Sequence, residues 1–320
     1  MKSQEKVTAF RNGEIKRNRG KGNMGMDACT LCPRMCGVNR AAGEKGYCGM
    51  DATIRAARAA LHMWEEPCIS GTQGSGAVFF SGCSLRCIFC QNFEIAEGNC
   101  AKEISGERLS EIFLELQEQG AANINLVTAA HYVPAVIESL KKAKAQGMDL
   151  PVIYNSSGYE RVETVQMLEE VVDVWLPDFK YMDSKLAFAY SRAKDYPEVA
   201  RAAIPGDDES CRNCAYDEDG YIQKGVIVRH LILPGHTKNS IAVLDELYGT
   251  YGDDLTISLM NQYTPLPQVR NIPDLNRRVT KREYEKVLDH ALDLGITQGF
   301  FQEGGTAKES FIPLFDYEGL

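Results

Sequence analysis

Cysteine carries most of the chemistry that this sequence offers. Three cysteines stand as C-x3-C-x2-C within Ser81-Gly82-Cys83-Ser84-Leu85-Arg86-Cys87-Ile88-Phe89-Cys90. Three thiolates are one short of a closed tetrahedral site, and a centre held by three keeps a position open for something to bind and react. A [4Fe–4S] cluster, whose natural ligands are thiolates, would keep one iron free on three of them. Structural zinc favours C-x2-C pairs over an x3 gap, so a zinc site completed by His62 or Cys100 is the weaker reading. A second group upstream, Cys29-x2-Cys32-x3-Cys36-x11-Cys48, has four thiols, enough to close a zinc site or hold another [4Fe–4S] cluster. Spacing alone leaves that metal open. Gly37, Gly43, Gly46 and Gly49 permit the tight turns that wrap a chain round a metal. Cys211-x2-Cys214 lies in an acidic loop, where a lone pair cannot close a site, while Cys68 and Cys100 stand alone.

The elements that must position these groups read as α/β. The chain has 320 residues, of which 44% are hydrophobic, ample for a sizeable core. From about residue 75 onward, short apolar runs alternate with helical periodicity. Strands are predicted at residues 77–81, 123–128, 152–155, 171–176, 225–233, 255–260 and 299–302. Helices are predicted at 108–119, 133–145, 161–170, 184–193, 240–248 and 281–294. Each connection is long enough to cross over and lay the next strand parallel. Six such units imply a partial (β/α)6 barrel over residues 76–320, its chemistry at the carboxyl ends of the strands. The three-cysteine motif directly follows the first of them. Residues 1–22, rich in Lys, Arg and Gly, read as a flexible terminus. Residues 23–75 read as a separate cysteine-rich metal-binding module with a helical-looking stretch at Ala52–Leu61. Residues 195–222 read as an acidic insertion.

Charge and cysteine usage exclude some partners. A formal net charge of −9 disfavours nucleic acid. No apolar run approaches the roughly 20 residues of a membrane span, and the start lacks the apolar stretch of a secretory signal. Eleven clustered cysteines, an odd number, point to metal or redox chemistry in a reducing, cytoplasmic compartment rather than to disulfides.

With these motifs the chain resembles the radical S-adenosylmethionine (SAM) superfamily, in the branch similar to pyruvate formate-lyase activating enzymes. The match runs over most of residues 76–320. The resemblance rests on the three-cysteine motif and on three strand ends: Tyr154-Asn155-Ser156-Ser157-Gly158, Pro177-Asp178-Phe179-Lys180 and Val228-Arg229-His230. Further marks of an activating-enzyme-like branch with an upstream cysteine module are Trp64-Glu65-Glu66-Pro67-Cys68, Asn261-Gln262-Tyr263-Thr264-Pro265 and Gln302-Glu303-Gly304-Gly305. It implies a [4Fe–4S] cluster on Cys83, Cys87 and Cys90 whose free iron chelates SAM. Phe89 would pack near the adenine, Asn155 and Ser156 would meet the ribose and methionine ends, and Asp178, Lys180 and Arg229 would line the SAM site. Lys180 and Arg229 each also have a plain alternative: Lys180 as a salt bridge at a strand end and Arg229 as the ion-pair partner of Asp178. The superfamily's Gly-Gly-Glu after the second strand, which receives the SAM amine, is missing. Thr128 and His131 stand there instead, His131 serving equally well as an ordinary helix-start residue. Asn155 replaces an expected acidic residue.

The resemblance implies an enzyme that takes one electron from reduced flavodoxin or ferredoxin, cleaves SAM to a 5′-deoxyadenosyl radical and abstracts hydrogen from a substrate. The activating-enzyme likeness implies a protein substrate, the backbone glycine of a glycyl-radical enzyme. The alternatives are modification of a peptide or small metabolite, and a non-catalytic iron–sulfur carrier or sensor. Glu303-Gly304-Gly305 reads equally as a wall of the open barrel face and as a tight turn. The two cysteine groups are expected to be independent, so that Cys32→Ala leaves the downstream cluster in place.

Overall fold

The computed structural model describes residues 25–204, 213–302 and 313–320. Residues 1–22, Cys211, Glu303-Gly304-Gly305 and the middle of the acidic stretch lie outside them. The described strands are β1 (Arg55–His62), β2 (Ser75–Phe80), β3 (Lys102–Glu103), β4 (Ile124–Val127), β5 (Val152–Ser156), β6 (Val174–Pro177), β7 (Ala215–Tyr216), β8 (Ile222–Leu231), β9 (Thr256–Met260) and β10 (Gly299–Phe301). Every residue of β2, β4, β5, β6 and β9 is buried, the pattern of parallel strands covered on both faces.

The sheet runs β10-β9-β8-β6-β5-β4-β2-β1-β3. Neighbours from β2 through β10 are parallel, and β1 lies antiparallel on β2. This is the expected α/β partial barrel of six strands, with short β10 added beside β9.

Crossover helices cover the outer face. After α1 (Pro67–Ser70) and α2 (Phe93–Ala96) come α3 (Gly106–Glu118), α4 (Val133–Ala145), α5 (Val162–Leu168), α6 (Ser184–Ser191), α7 (Tyr196–Ala203), α8 (Thr237–Tyr251) and α9 (Lys281–Leu294). Their starts follow from local chemistry. Ser105 caps α3 by accepting from Arg108 N, Asp183 caps α6, and Thr280 with Glu283 forms a capping box on α9. Among the described residues no helix is long and apolar enough to cross a membrane.

Two features depart from the sequence expectation. Ala52–Leu61, read as helical, is mostly strand β1 (Arg55–His62), which belongs to the sheet. Its alanines answer to close packing rather than to helix propensity. The C-terminal segment lies along the strand, with Tyr317 N donating to Ala57 O (3.0 Å) and Ala59 N to Glu318 O (2.8 Å). A Cβ on Gly319 would lie 2.0 Å from Ala59 O. The acidic stretch opens with helix α7, whose Tyr196, Pro197, Ala200 and Ala203 are buried.

Because β1 is antiparallel, His62 pairs with Ser75, the first residue of β2. The chain therefore enters the barrel from its amino end, and residues 64–70 plug it. Cys68 and Ile69 pack among Ile153, Val174, Leu176, Ile222 and Ile227, and Asn123 Nδ2 donates to Ile69 O (2.8 Å). The cysteine-rich segment docks on the barrel flank. Arg40, 1% exposed, donates to Asp51 O and His131 O. Arg161 and Thr164, at the start of α5, donate to Thr30 O and Leu31 O (2.7 Å each).

Candidate functional site

The three-cysteine loop leaves the carboxyl end of β2 at Gly82, whose φ of +90° suits glycine; a Cβ there would fall 2.9 Å from Cys48 O. Cys83, Cys87 and Cys90 then line one cavity of about 210 Å3. Its walls come from the carboxyl ends of β2, β4, β5, β6, β8 and β9, through Phe79, Val127, Asn155, Asp178, Arg229 and Met260 among others. Leu85 N donates to Cys83 Sγ (3.4 Å) and Ser191 Oγ to Cys87 Sγ (3.1 Å). Burial pushes the Cys87 thiol up, with Lys180 and the Ser191 hydrogen bond opposing. Burial also raises Cys90, and its neighbours Cys87 and Cys83 add to the rise.

Among the described residues no three His, Cys, Asp or Glu side chains converge on a single metal ion. The four upstream cysteines are also neighbours. A Cβ on Gly46 would meet Cys36 Sγ at 2.9 Å and Cys48 Sγ at 3.7 Å. Cys32 is pushed up to about 12, first by burial, with Cys48 and Cys29 among the lesser causes. None of the four lines the cavity.

The same cavity wall carries a buried chain of charges that begins beside the thiols at Lys180. Lys180 Nζ donates to Asp178 Oδ2. Arg229 donates through Nε to Asp178 Oδ1 (3.1 Å), through Nη1 to Glu65 Oε2 (3.0 Å) and through Nη2 to Asn155 Oδ1 (2.5 Å). Glu65 Oε1 accepts from Asn125 and Asn155 (3.2 and 3.3 Å). Burial raises Asp178, but Lys180 and Arg229 outweigh it and hold the carboxyl below its usual range. Lys180 is likewise penalised by burial and held above its usual value, chiefly by Asp178. The close approach at Asp178 requires a glycine opposite, since a Cβ on Gly158 would lie 2.0 Å from Asp178 O.

The cavity brings together Phe89, Thr128, Asn155, Ser156, Asp178, Lys180 and Arg229. Phe89 makes edge contacts with Tyr181 and Tyr190. Thr128 has a left-handed φ of +62°, and its N–H donates to Asn155 O (2.9 Å). The salt bridges foreseen as the plain alternative for Lys180 and Arg229 are both formed, within the cavity wall itself. His131 does not line the cavity. It is 2% exposed, its Nε2 donates to Ser81 O (2.7 Å), and burial drives its pKa down to about 3. Amine contact through His131 is corrected accordingly.

Glu65 is the cavity residue that the sequence reading missed. The strand-end rule directs attention to one rim, and Glu65 arrives from the plug at the opposite end. Its sequence signal is its place in Trp64-Glu65-Glu66-Pro67-Cys68, a mark of the branch to which no site role attached. Glu66 is buried too; burial raises its carboxyl, Arg229 opposes the rise, and Oε2 has no hydrogen-bond partner.

No family model matches the chain. An uncharacterized protein of Methanocaldococcus jannaschii is 29% identical over 270 residues, covering 82% of this chain and 74% of its own. Three solved structures are similar at 15–16% identity. Streptococcus suis SuiB bound to S-adenosylmethionine has a TM-score of 0.46, over 71% of this chain and 50% of that one. Methylornithine synthase PylB has 0.44, over 66% and 58%. HydG, a maturase of the [FeFe]-hydrogenase, has 0.47, over 72% and 52%. The chain thus spans little more than half the length of these three structures.

Proposed function

We propose that this chain is a radical SAM enzyme, with a [4Fe–4S] cluster on Cys83, Cys87 and Cys90 and SAM in the adjoining cavity. The observation that carries the reading is the pairing of three thiols, one ligand short of a closed site, with a buried Lys180–Asp178–Arg229–Glu65 network across one cavity. When bound and reduced, the cluster would supply the electron that cleaves SAM to methionine and a 5′-deoxyadenosyl radical.

The chain's own residues bind, orient and exclude water. Two carboxylates and two cations suit a ligand that brings both an amine and a carboxylate. Lys180 and Arg229 offer donors to the carboxylate, and Glu65 offers an acceptor to the amine in place of the missing Gly-Gly-Glu. Ser156 and Thr128 add polar contacts at the rim, and Phe89 provides an aromatic surface beside the last thiol. The upstream cysteines hold a second metal, zinc or [4Fe–4S]. Reduced flavodoxin or ferredoxin in the cytoplasm serves as the electron donor.

The substrate reading is activase-like: a glycine presented on a loop of a glycyl-radical enzyme. Support comes from the cavity mouth, where Trp64 is exposed, and from the adjoining groove it shares with exposed Met63 and Leu314. Exposed apolar side chains beside the charged Arg58, Asp316 and Glu318 of the same groove suit a polypeptide better than a small metabolite.

Anaerobically reconstituted protein incubated with SAM and dithionite tests the proposal. It should release 5′-deoxyadenosine and methionine. An intact cluster with neither product would leave an iron–sulfur carrier or sensor. A glycyl-radical doublet on a co-expressed partner would establish the activase reading; radical products from an added peptide alone would favour peptide modification.

A further inference from the structure

The two cysteine groups meet through one side chain. Arg34 lies between Cys32 and Cys36, yet its guanidinium reaches out of its own module. Nε donates to Ser84 O (2.9 Å), Nη2 to Ser191 O (2.9 Å) and Nη1 to Arg192 O (2.6 Å). The group lies 4.0 Å from the Tyr47 ring centroid and 5.0 Å from that of Tyr159. Ser84 follows Cys83 in the chain. The Ser191 hydroxyl donates to Cys87 Sγ and shares a hydrogen bond with Tyr181 (2.7 Å). Arg34 therefore fixes carbonyls beside two of the three downstream thiols.

Other contacts run in the same direction. Gly82, at the root of the three-cysteine loop, packs so closely on Cys48 O and Met50 that no Cβ fits. Arg86, held at a left-handed φ of +51°, lies over Tyr47 at 5.7 Å and against Gly49. Both ends of the Gly82–Arg86 stretch thus rest on residues 47–50, which Cys48 anchors. The upstream segment has little regular structure to hold this shape: among the described residues before β1, its one helical element is the three-residue turn Arg40–Ala42. A segment so small, closed by four thiols, depends on metal binding for its fold.

We propose that the four-cysteine module is the mount of the three-cysteine loop: metal on Cys29, Cys32, Cys36 and Cys48 positions Arg34, and Arg34 holds the Cys83–Cys87 stretch ready for its cluster. The inference rests on the reading of Cys83, Cys87 and Cys90 as cluster ligands. It replaces the expectation of two independent centres. Arg34 is a positioning residue, acting through Ser84 and Ser191 on the ligands beside them.

The test compares wild type, Arg34→Ala, Arg34→Lys and Cys32→Ser after anaerobic reconstitution with iron and sulfide. Iron, sulfide and zinc per chain are counted, and the reduced cluster is followed by EPR and by its midpoint potential. Arg34→Ala should keep the upstream metal and the wild-type circular dichroism. Its downstream cluster signal should fall severalfold, and the remainder should shift in line shape and potential. Arg34→Lys, which keeps a cation but not the three-way fork, should recover part of the signal. Cys32→Ser should lose the upstream metal and most of the downstream cluster together. A wild-type signal and potential in Arg34→Ala, with Cys32→Ser losing only upstream metal, overturns the inference. A wild type that binds no SAM-responsive cluster overturns instead the reading on which it rests.

Discussion

The two cysteine groups differ by one ligand in the sequence and by much more in the fold. Cys83, Cys87 and Cys90 lie on the wall of a cavity with Lys180 close by and the Glu65–Arg229 pair across from them. Cys29, Cys32, Cys36 and Cys48 lie in a glycine-turned knuckle on the barrel flank, and Cys36 is exposed. One group opens on space for a ligand, while the other is packed against backbone. The same side chain thus lines a cavity in one place and packs against backbone in the other, and on the proposed reading the first serves reaction and the second architecture.

The sharpest way to break this comparison is to remove one thiol from the cavity. Cys87→Ala should abolish cluster assembly and SAM cleavage while leaving the upstream metal at its wild-type content. The fold should persist, because the loop retains its contacts with Arg34 and residues 47–50. Metal analysis paired with a 5′-deoxyadenosine assay checks it. Any product formed by Cys87→Ala would remove the distinction between the two groups.

The arginines offer the next largest contrast. Arg229 in the site is held by two carboxylates, with side-chain exposures of 9–14% across the set. Arg40 beneath the module is buried against backbone carbonyls. Arg229→Met strands buried negative charge and should cost about 3–5 kcal/mol. Arg40→Met leaves two backbone carbonyls and a long contact to Cys29 Sγ (3.8 Å) unpaired but strands no carboxylate, and should cost about 1–3 kcal/mol. Urea unfolding of both variants measures the order. Equal costs would mean that the charges of the site do not act as a buried network.

Much of this was legible in the sequence for a physical reason. Fully buried parallel strands need unbroken apolar runs, and crossover helices need a 3.6-residue period, so β2, β4, β5, β6, β8 and β9 fall within a few residues of their predicted places. The family resemblance then pointed to Asn155, Ser156, Asp178, Lys180 and Arg229, which the fold gathers on one cavity. What escaped depends on contacts between distant segments. The Ala-rich β1 looks helical until the C-terminal segment is seen against it. Glu65 enters from the plug, where no strand-end rule looks. His131 occupies the expected place along the chain, but its ring turns to Ser81 O instead of the cavity. The link made by Arg34 joins positions some 50 and 157 residues apart, beyond any local pattern.

Acid should act on both regions through neutral histidines, His131 buried and His62 partly buried. His62 on the cavity wall is driven down to about 4, chiefly by burial, with Arg58 and Arg229 adding to it. His131, between module and barrel, is driven down to about 3 by burial; its Nδ1 has no partner. Each ring binds a proton in the unfolded chain near the ordinary value of 6.5 but stays neutral when folded. The unfolded state therefore binds more protons below that pH. Stability is fully present above 6.5 and is lost as pH falls toward the folded values, by about 1.4 kcal/mol per pH unit for each histidine. Urea unfolding at pH 7 and pH 5 should show the loss, and His131→Gln should shrink it by one histidine's share. A His131→Gln slope equal to wild type would mean that this ring does not stay neutral in the fold.

The smallest effect separates the regions by backbone strain. Thr128 in the site and Met35 in the module are both non-glycine residues in the left-handed region, at φ of +62° and +40°. Such a conformation costs a residue with a Cβ about 1–2 kcal/mol, part of which glycine recovers against its own greater chain entropy. Either residue changed to glycine should therefore stabilise the protein by up to about 1 kcal/mol. The consequences for ligand binding should differ. Thr128 faces the cavity, so Thr128→Gly should gain stability and weaken SAM binding. Met35 is exposed in the turn closed by its N–H to Cys32 O (3.0 Å), so Met35→Gly should gain stability with SAM affinity unchanged. Calorimetric titration of SAM into the reconstituted variants, alongside urea unfolding, reads both quantities. If Thr128→Gly gained stability with no loss of affinity, its strained backbone would serve the packing of β4 against β5 rather than the ligand.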